Sequence, residues 1–244
     1  MDRAHEGFEA RGVLMDVFGY DSFRDGQEPV IAALLEGSSV LAVMPTGSGK
    51  SLCFQIPALL GGGLTVVVSP LVALMEDQVA ALGLADVPAE TINSSRDRET
   101  NTASWRRVVA GETRLLYIAP ERLMTEAMLR ALGRLSLDLI VVDEAHCISR
   151  WGPAFRPEYE ALAQLGERFP GVAIAAFTAT ADQATRNDIS AKLFTGQAKV
   201  FVSGFDRPNI RLGVEMRRQW KRQLCDFVLP RVGQSGIVYC LSRK

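Results

Sequence analysis

The segment Met44-Pro45-Thr46-Gly47-Ser48-Gly49-Lys50-Ser51 brings two glycines, three hydroxyls and a lysine into eight residues. A phosphate is held where backbone N–H groups converge, and glycines let the chain bend closely enough to aim them. A helix opening just after the segment adds its positive end. In that arrangement Lys50 reaches the outer phosphates of a nucleotide and the Ser51 hydroxyl ligates magnesium, while 46–49 wrap the phosphates. The strict glycine-rich pattern carries Gly where Met44 stands. The match therefore rests on Thr46-Gly47-Ser48-Gly49-Lys50-Ser51, against the plainer reading of a Gly/Ser turn with a chance lysine.

A second cluster, Asp143-Glu144, closes the apolar run Leu139-Ile140-Val141-Val142 and precedes Ala145-His146. Two carboxylates ending a buried strand are costly unless a cation waits there. Asp143 is placed to hold magnesium, and Glu144 to orient and deprotonate an attacking water. Standing alone, such a pair more often caps a helix; beside a phosphate loop at Lys50 the chemical reading prevails. Phe177-Thr178-Ala179-Thr180 follows another apolar run. The Thr178 and Thr180 hydroxyls either link a hydrolysis site to a neighbouring domain or cap a helix running on from Asp182.

Two aromatic segments complete the set. In 18–27, Phe18, Tyr20 and Phe23 accompany Arg24 and Gln27 just before a helical pattern. A carboxamide can make two hydrogen bonds to an adenine edge while an aromatic or guanidinium face stacks on the ring. Packing of Phe18 and Phe23 into the core is the competing account. In 148–157, Trp151, Phe155 and Arg156 are interleaved with Gly152, Pro153 and Pro157. Aromatics and arginine in such a loop stack on bases and grip phosphate, or else fold back into the core.

These residues need elements to carry them. Short β-branched runs at 40–44, 65–69, 115–119, 138–142 and 172–177, with weaker ones at 90–93 and 199–203, alternate with helical patterns such as 29–36, 52–60, 71–82 and 122–132. Several runs lack polar alternation, as strands covered on both faces should. The expected architecture is α/β: a parallel sheet with helices on both faces, joined by right-handed crossovers. Ligands then sit beyond the carboxyl ends of the strands, where the chemical residues fall. A turn at Asp206-Arg207-Pro208-Asn209 reads as a boundary, dividing 1–205 from 206–244. Beyond it, 235–240 reads as the opening strand of an incomplete second domain.

The 244 residues are 48% hydrophobic and 23% charged, ordinary for a soluble globular protein. No basic start is followed by an apolar stretch, and runs such as Leu64–Val68 are too short to cross a bilayer. The reading is a cytoplasmic protein. Cys53, Cys147, Cys225 and Cys240 make no Cys-x-x-Cys pair, and with two histidines a zinc site is not expected. Nine Lys or Arg stand against three Asp or Glu in 206–244, while 1–205 is acidic. That asymmetry permits a polyanionic partner or a solvated basic helix around Arg217, Arg218, Lys221 and Arg222.

Taken in order, the segments resemble the RecQ family of superfamily 2 DNA helicases. The resemblance runs through 18–27, the 44–51 loop with Leu52-Cys53-Phe54-Gln55, Ser69-Pro70-Leu71, Asp77-Gln78, Tyr117-Ile118-Ala119-Pro120-Glu121-Arg122-Leu123 and Asp143-Glu144-Ala145-His146-Cys147-Ile148-Ser149. The Trp151 loop, 177–181 and 205–210 complete it. It implies a RecA-like P-loop NTPase domain followed by the start of a second one, with ATP and Mg2+ as cofactors. Tyr20, Arg24 and Gln27 would then bind adenine, and Trp151, Phe155, Arg156, Thr178 and Thr180 would bind single-stranded DNA or couple it to hydrolysis. The family moves 3′ to 5′ along DNA and separates junctions and duplexes in repair and recombination. Here Pro153 and Ala154 replace the His and Asp of the family's Gln-Trp-Gly-His-Asp-Phe-Arg loop, which implies ATP binding and leaves DNA-triggered hydrolysis open. An arginine from the second domain would reach the γ-phosphate from beyond Lys244. These residues alone are therefore expected to bind ATP, hydrolyse it poorly and not unwind a duplex. The alternatives are a nucleotide-binding interaction module without turnover, and an RNA helicase motor.

Overall fold

Val40 and Ala42 turn their side chains to one face of a sheet, Leu41 and Val43 to the other, and all four are fully buried. That two-faced burial recurs in the neighbouring strands and dictates the architecture, because each face must be covered. The computed structural model describes residues 3–149, 156–204, 210–211 and 213–240. Trp151, Phe155 and the 206–209 turn lie outside the described residues.

In chain order the first unit contains α1 (Arg3–Asp16), α2 (Gln27–Leu35), β1 (Val40–Val43), α3 (Lys50–Leu60), β2 (Leu64–Val68) and α4 (Val72–Leu84). There follow β3 (Ala89–Ile92), α5 (Arg98–Val109), β4 (Leu115–Ile118), α6 (Pro120–Leu123), α7 (Glu126–Leu132) and β5 (Leu137–Val142). Short helices α8 (Pro157–Glu160) and α9 (Leu165–Arg168) lead to β6 (Ala173–Thr178), α10 (Gln183–Leu193) and β7 (Lys199–Val202). The strands form one seven-stranded sheet in the order β3-β4-β2-β5-β6-β1-β7, with every neighbouring pair parallel. The expected α/β fold is what the structure shows.

Two apolar layers hold the sheet. On one face Val67, Tyr117, Val141, Ala175 and Phe177 meet Leu14 of α1, Ile31 of α2, Phe54 of α3 and Met75 of α4. Phe54 packs edge-on against Phe177, with ring centroids 5.5 Å apart. On the other face Val66, Ile118, Ile140 and Ile174 meet Val108 of α5, Leu129 of α7, Tyr159 of α8 and Ile189 of α10. A fully buried side chain of this size contributes about 1.5–3 kcal/mol.

Some elements differ from the sequence-based expectation. The single helix expected over 122–132 is two, α6 and α7. Thr125 separates them: its hydroxyl donates to the Arg122 carbonyl at 3.0 Å and accepts from the Met128 N–H at 3.3 Å, restarting the helix. Helix α5, whose start is polar, is anchored by Asp97, which accepts from the Thr100 N–H at 2.7 Å.

The chain divides into the units Met1–Phe205 and Asp206–Lys244. Within the second, α11 (Trp220–Val228) carries Lys221 and Arg222, and a short 3-10 turn follows at Leu229–Arg231. The strand expected over 235–240 is not formed, and these residues are exposed. A strand is stabilised by cross-strand hydrogen bonds and a buried face, and an apolar run without a neighbouring strand has neither. Among the described residues no helix is long and apolar enough to cross a membrane.

The turn before β2 is a close approach of chain to chain. Gly63 donates its N–H to the Asp138 carboxylate at 2.6 Å, and an added Cβ would lie 2.7 Å from the Ser136 carbonyl oxygen and 2.9 Å from Asp138 Cγ. Gly63→Ala is expected to destabilise the protein by about 1–3 kcal/mol, read as a lower midpoint in urea with unchanged slope.

Candidate nucleotide-binding site

Parallel register brings the carboxyl ends of β2, β5, β6 and β1 side by side. The Met44 N–H reaches the Thr178 carbonyl at 2.9 Å, and the Asp143 N–H reaches the Val68 carbonyl at 2.9 Å. The loop after β1, Asp143-Glu144 after β5 and Thr178 at the end of β6 thus lie along one edge, as the strand-end rule requires.

The 44–49 loop is tied from behind. Gln27 is buried, and its carboxamide donates to the Ser48 carbonyl at 3.1 Å and the Gly49 carbonyl at 3.0 Å. Its oxygen accepts from the Arg24 N–H at 2.8 Å, and the Arg24 guanidinium donates to the Gly47 carbonyl. In a trans peptide the C=O and the following N–H point in opposite directions. Drawing the Ser48 and Gly49 carbonyls toward Gln27 therefore turns the Gly49 and Lys50 N–H groups the other way, where α3 also presents its positive end. Gly47 and Gly49 make this possible with φ of 84° and 78°. Lys50, first residue of α3, donates from Nζ to the Met44 carbonyl at 3.3 Å.

Beside the loop opens a cavity of about 330 Å³ lined by Phe18, Tyr20, Arg24, Gln27, Gly49 and Leu52. That volume is in the range of small-ligand sites. Tyr20 is exposed there, whereas Phe18 and Phe23 are partly buried against the core.

At the end of β5, Asp143 is half-buried and its carboxyl is pushed up to about 6. Burial is the largest cause and the Glu144 charge adds to it; the Glu144 N–H bond, at 2.9 Å, and the Lys50 charge pull it back. The Tyr159 hydroxyl donates to the Asp143 carbonyl at 3.0 Å. Glu144 takes a left-handed conformation, φ 49°, and opens a 3-10 turn over Ala145–Ile148. A non-glycine residue held there is strained, a feature that clusters at functional sites. His146 Nδ1 lies 2.9 Å from Thr178 Oγ1 and 3.3 Å from Glu144 Oε2. Thr178 Oγ1 also lies 3.1 Å from the Thr180 carbonyl, and the direction of its bond with His146 Nδ1 follows the imidazole tautomer. Thr178 also accepts from the Thr180 N–H at 3.3 Å. Arg156, on the exposed side, donates to the Pro70 carbonyl at 3.3 Å.

A family model described as DEAD/DEAH box helicase matches residues 24–189. The chain belongs to that family. Within it the sequence is of the RecQ type: it is 47% identical over 235 residues to the ATP-dependent DNA helicase RecQ of Haemophilus influenzae, covering 96% of this chain and 38% of the relative. The RecQ protein of Synechocystis sp. is 41% identical over 94% of this chain and 50% of its own length. The chain thus spans half or less of either relative's length. Among solved structures, the Pyrococcus furiosus Hef helicase domain matches with a TM-score of 0.57 at 21% identity, over 79% of this chain and 40% of that one. The DEAD-box helicase Mss116 bound to ssRNA and UDP-BeF matches with a TM-score of 0.60 at 19% identity, over 81% and 42%. Both show the RecA-like fold.

In this helicase domain, Lys50, Ser51, Asp143, Glu144 and Thr178 gather at one sheet edge. Ser51 and Asp143 stand together at that edge. A hydroxyl and a carboxylate that is reluctant to ionise without a nearby cation fit magnesium, which takes oxygen ligands. Arg24 and Gln27 line the cavity beside the loop, and their side chains are bonded to the loop. Sequence reasoning weighed their side chains only for adenine; a turn-capping amide before a helix gives no periodic signal. His146, Gln55, Tyr117 and Ser69 stand inside the matching segments with no chemical signal of their own, and each faces the site or its wall.

Two outcomes follow. Gln27→Ala releases two loop carbonyls and leaves a void; melting should show a loss of about 1–3 kcal/mol, with weaker nucleotide binding. Because Asp143 holds its proton up to about 6 in the folded state and loses it near 4 when unfolded, the ionised form is disfavoured on folding. Stability then falls as pH rises between those values and stays lower above them. In metal-free buffer Asp143→Asn should therefore raise stability by about 1–3 kcal/mol at about pH 8, and the gain should vanish below about pH 4.

Proposed function

We propose that this chain is the nucleotide-binding part of an ATP-dependent DNA helicase motor that moves 3′ to 5′ on single-stranded DNA and opens junctions and duplexes in repair and recombination. One observation carries the reading: the Lys50 loop and the Asp143-Glu144 pair meet at one edge, and Glu144 is joined through His146 to Thr178. A phosphate loop explains nucleotide binding; the linked carboxylate and hydroxyls explain how turnover is sensed elsewhere. The relatives named as ATP-dependent DNA helicases support DNA as the partner.

In this mechanism the Gly49 and Lys50 N–H groups and the Lys50 ammonium hold the β- and γ-phosphates. Ser51 and Asp143 would hold a magnesium ion, which would supply positive charge to the phosphate oxygens. Glu144 orients the attacking water and takes its proton. Tyr20 and Arg24 flank the base, and Gln27 keeps one oxygen lone pair for the adenine amino group while its N–H groups brace the loop. His146, bonded to Thr178, carries the state of Glu144 to β6 and Thr180. Trp151, Phe155 and Arg156 follow directly in sequence and serve as the DNA contact. Residues 206–244 are the linker and the start of a second motor domain, and the protein works in the cytoplasm.

The test is ATP turnover by these 244 residues with no nucleic acid, with single-stranded DNA and with matched RNA. Slow hydrolysis is expected, because the arginine supplied by a second motor domain is worth roughly 10³–10⁵ in rate. Lys50→Ala should abolish both turnover and nucleotide binding. Nucleotide binding that survives Lys50→Ala sinks the reading of the loop. Stimulation by RNA but not DNA would reassign the partner, and nucleotide binding without turnover under any condition would favour an interaction module.

A further inference from the structure

Ser69, the residue after β2, is 2% exposed, and its hydroxyl has no hydrogen-bond partner among the described residues. Its backbone N–H reaches the Ile118 carbonyl at 3.3 Å, so only the side chain is unmatched. An orphaned buried hydroxyl costs about 1–3 kcal/mol, which calls for an explanation. The side chain lines a small cavity of about 20 Å³ whose polar wall is completed by Ser51, Gln78, Tyr117 and Asp143.

A donor count around the cavity is informative. Gln55 has two N–H groups on Nε2; one reaches Gln78 Oε1 at 3.1 Å and the other Tyr117 Oη at 3.2 Å. The Tyr117 oxygen is therefore the acceptor in that bond, and its own proton must point elsewhere. Burial pushes the Tyr117 phenol well up, so it keeps that proton. Ser69 and Tyr117, each with an O–H proton to place, thus line a space that Asp143 also lines. One water needs roughly 10–15 Å³ of such room and two to four polar partners. A magnesium ion retaining several waters needs far more.

We infer that the cavity holds a single buried water that accepts from the Ser69 and Tyr117 hydroxyls and donates to the Asp143 carboxylate, making Ser69 and Tyr117 positioning residues for that side chain. With both lone pairs engaged, the water must direct both hydrogens at acceptors. The wall offers the Asp143 carboxylate, Gln78 Oε1 and Ser51 Oγ. Its bond to Asp143 offsets part of the desolvation of the ionised form and holds the plane of the carboxyl group. The second carboxylate oxygen is then presented to the cation in one orientation. The importance of this for magnesium rests on the reading of Asp143 given above; the water itself rests on the cavity alone.

The experiment has two arms. A high-resolution crystal structure of the nucleotide-free protein should show one water in the cavity within hydrogen-bonding distance of Ser69, Tyr117 and Asp143; a dry cavity, or a metal ion inside it, overturns the inference. In solution, the affinity of a fluorescent ADP is measured with and without Mn2+ for the wild type, Ser69→Ala and Tyr117→Phe. The gain in affinity conferred by the metal should shrink on the order of 10-fold in both variants, with metal-free ADP affinity unchanged. An undiminished metal effect in both variants overturns the positioning role. A variant that fails to melt cooperatively is set aside and the other carries the test. A wild type whose ADP affinity ignores metal overturns the magnesium reading, and the crystallographic arm still decides the water.

Discussion

Everything at the site depends on the parallel pairing of β2, β5, β6 and β1. Four strands running the same way must end at the same edge, so whatever side chains follow them are brought within a few ångströms, however far apart they are in sequence. Lys50, Ser69, Asp143 and Thr178 come from four separate segments and meet for this reason alone. The pairing holds because each strand is apolar on both sides and two helical layers cover it. A shift of one residue in β5 would turn Asp143 to the opposite face and dissolve the site.

On that frame the site is held in shape by buried polar groups. Gln27 and Arg24 draw three loop carbonyls backward, which turns neighbouring N–H groups outward before any phosphate arrives. The hydrogen bond between His146 and Thr178 spans two adjacent strand ends and gives Glu144 a fixed neighbour. Asp143 is left reluctant to ionise, since burial and the Glu144 charge raise its pKa, a cost that a nearby cation would relieve. Preorganisation of this kind places the unfavourable electrostatics in the empty state and the favourable ones in the loaded state.

Much of this was legible beforehand because local chemistry is written locally. Two glycines, a lysine and a hydroxyl in eight residues restrict the backbone so strongly that a phosphate loop follows from composition and a preceding strand. Runs such as Val40–Val43, apolar at every position, announced a sheet covered on both faces. Elements whose signal was weak or misleading were those stabilised by single contacts or lacking a partner. The break at Thr125 comes from one hydroxyl, and α5 from the Asp97 cap, neither of which alters hydrophobic periodicity. The apolar run 235–240 has the composition of a strand, but strand formation is decided by a neighbour and not by propensity.

By itself, then, the sequence determined the fold class and which residue types stand together at 44–51 and 143–144, because glycine freedom, charge and apolar run length act over a few neighbouring positions. Only the tertiary structure decided which of those residues meet. Strand order placed Thr178 against His146 and Ser69 beside Asp143, separations of 32 and 74 residues that no local pattern encodes. It also decided that Gln27 braces the loop, because the partners of a buried amide are whichever unpaired carbonyls the fold brings to it.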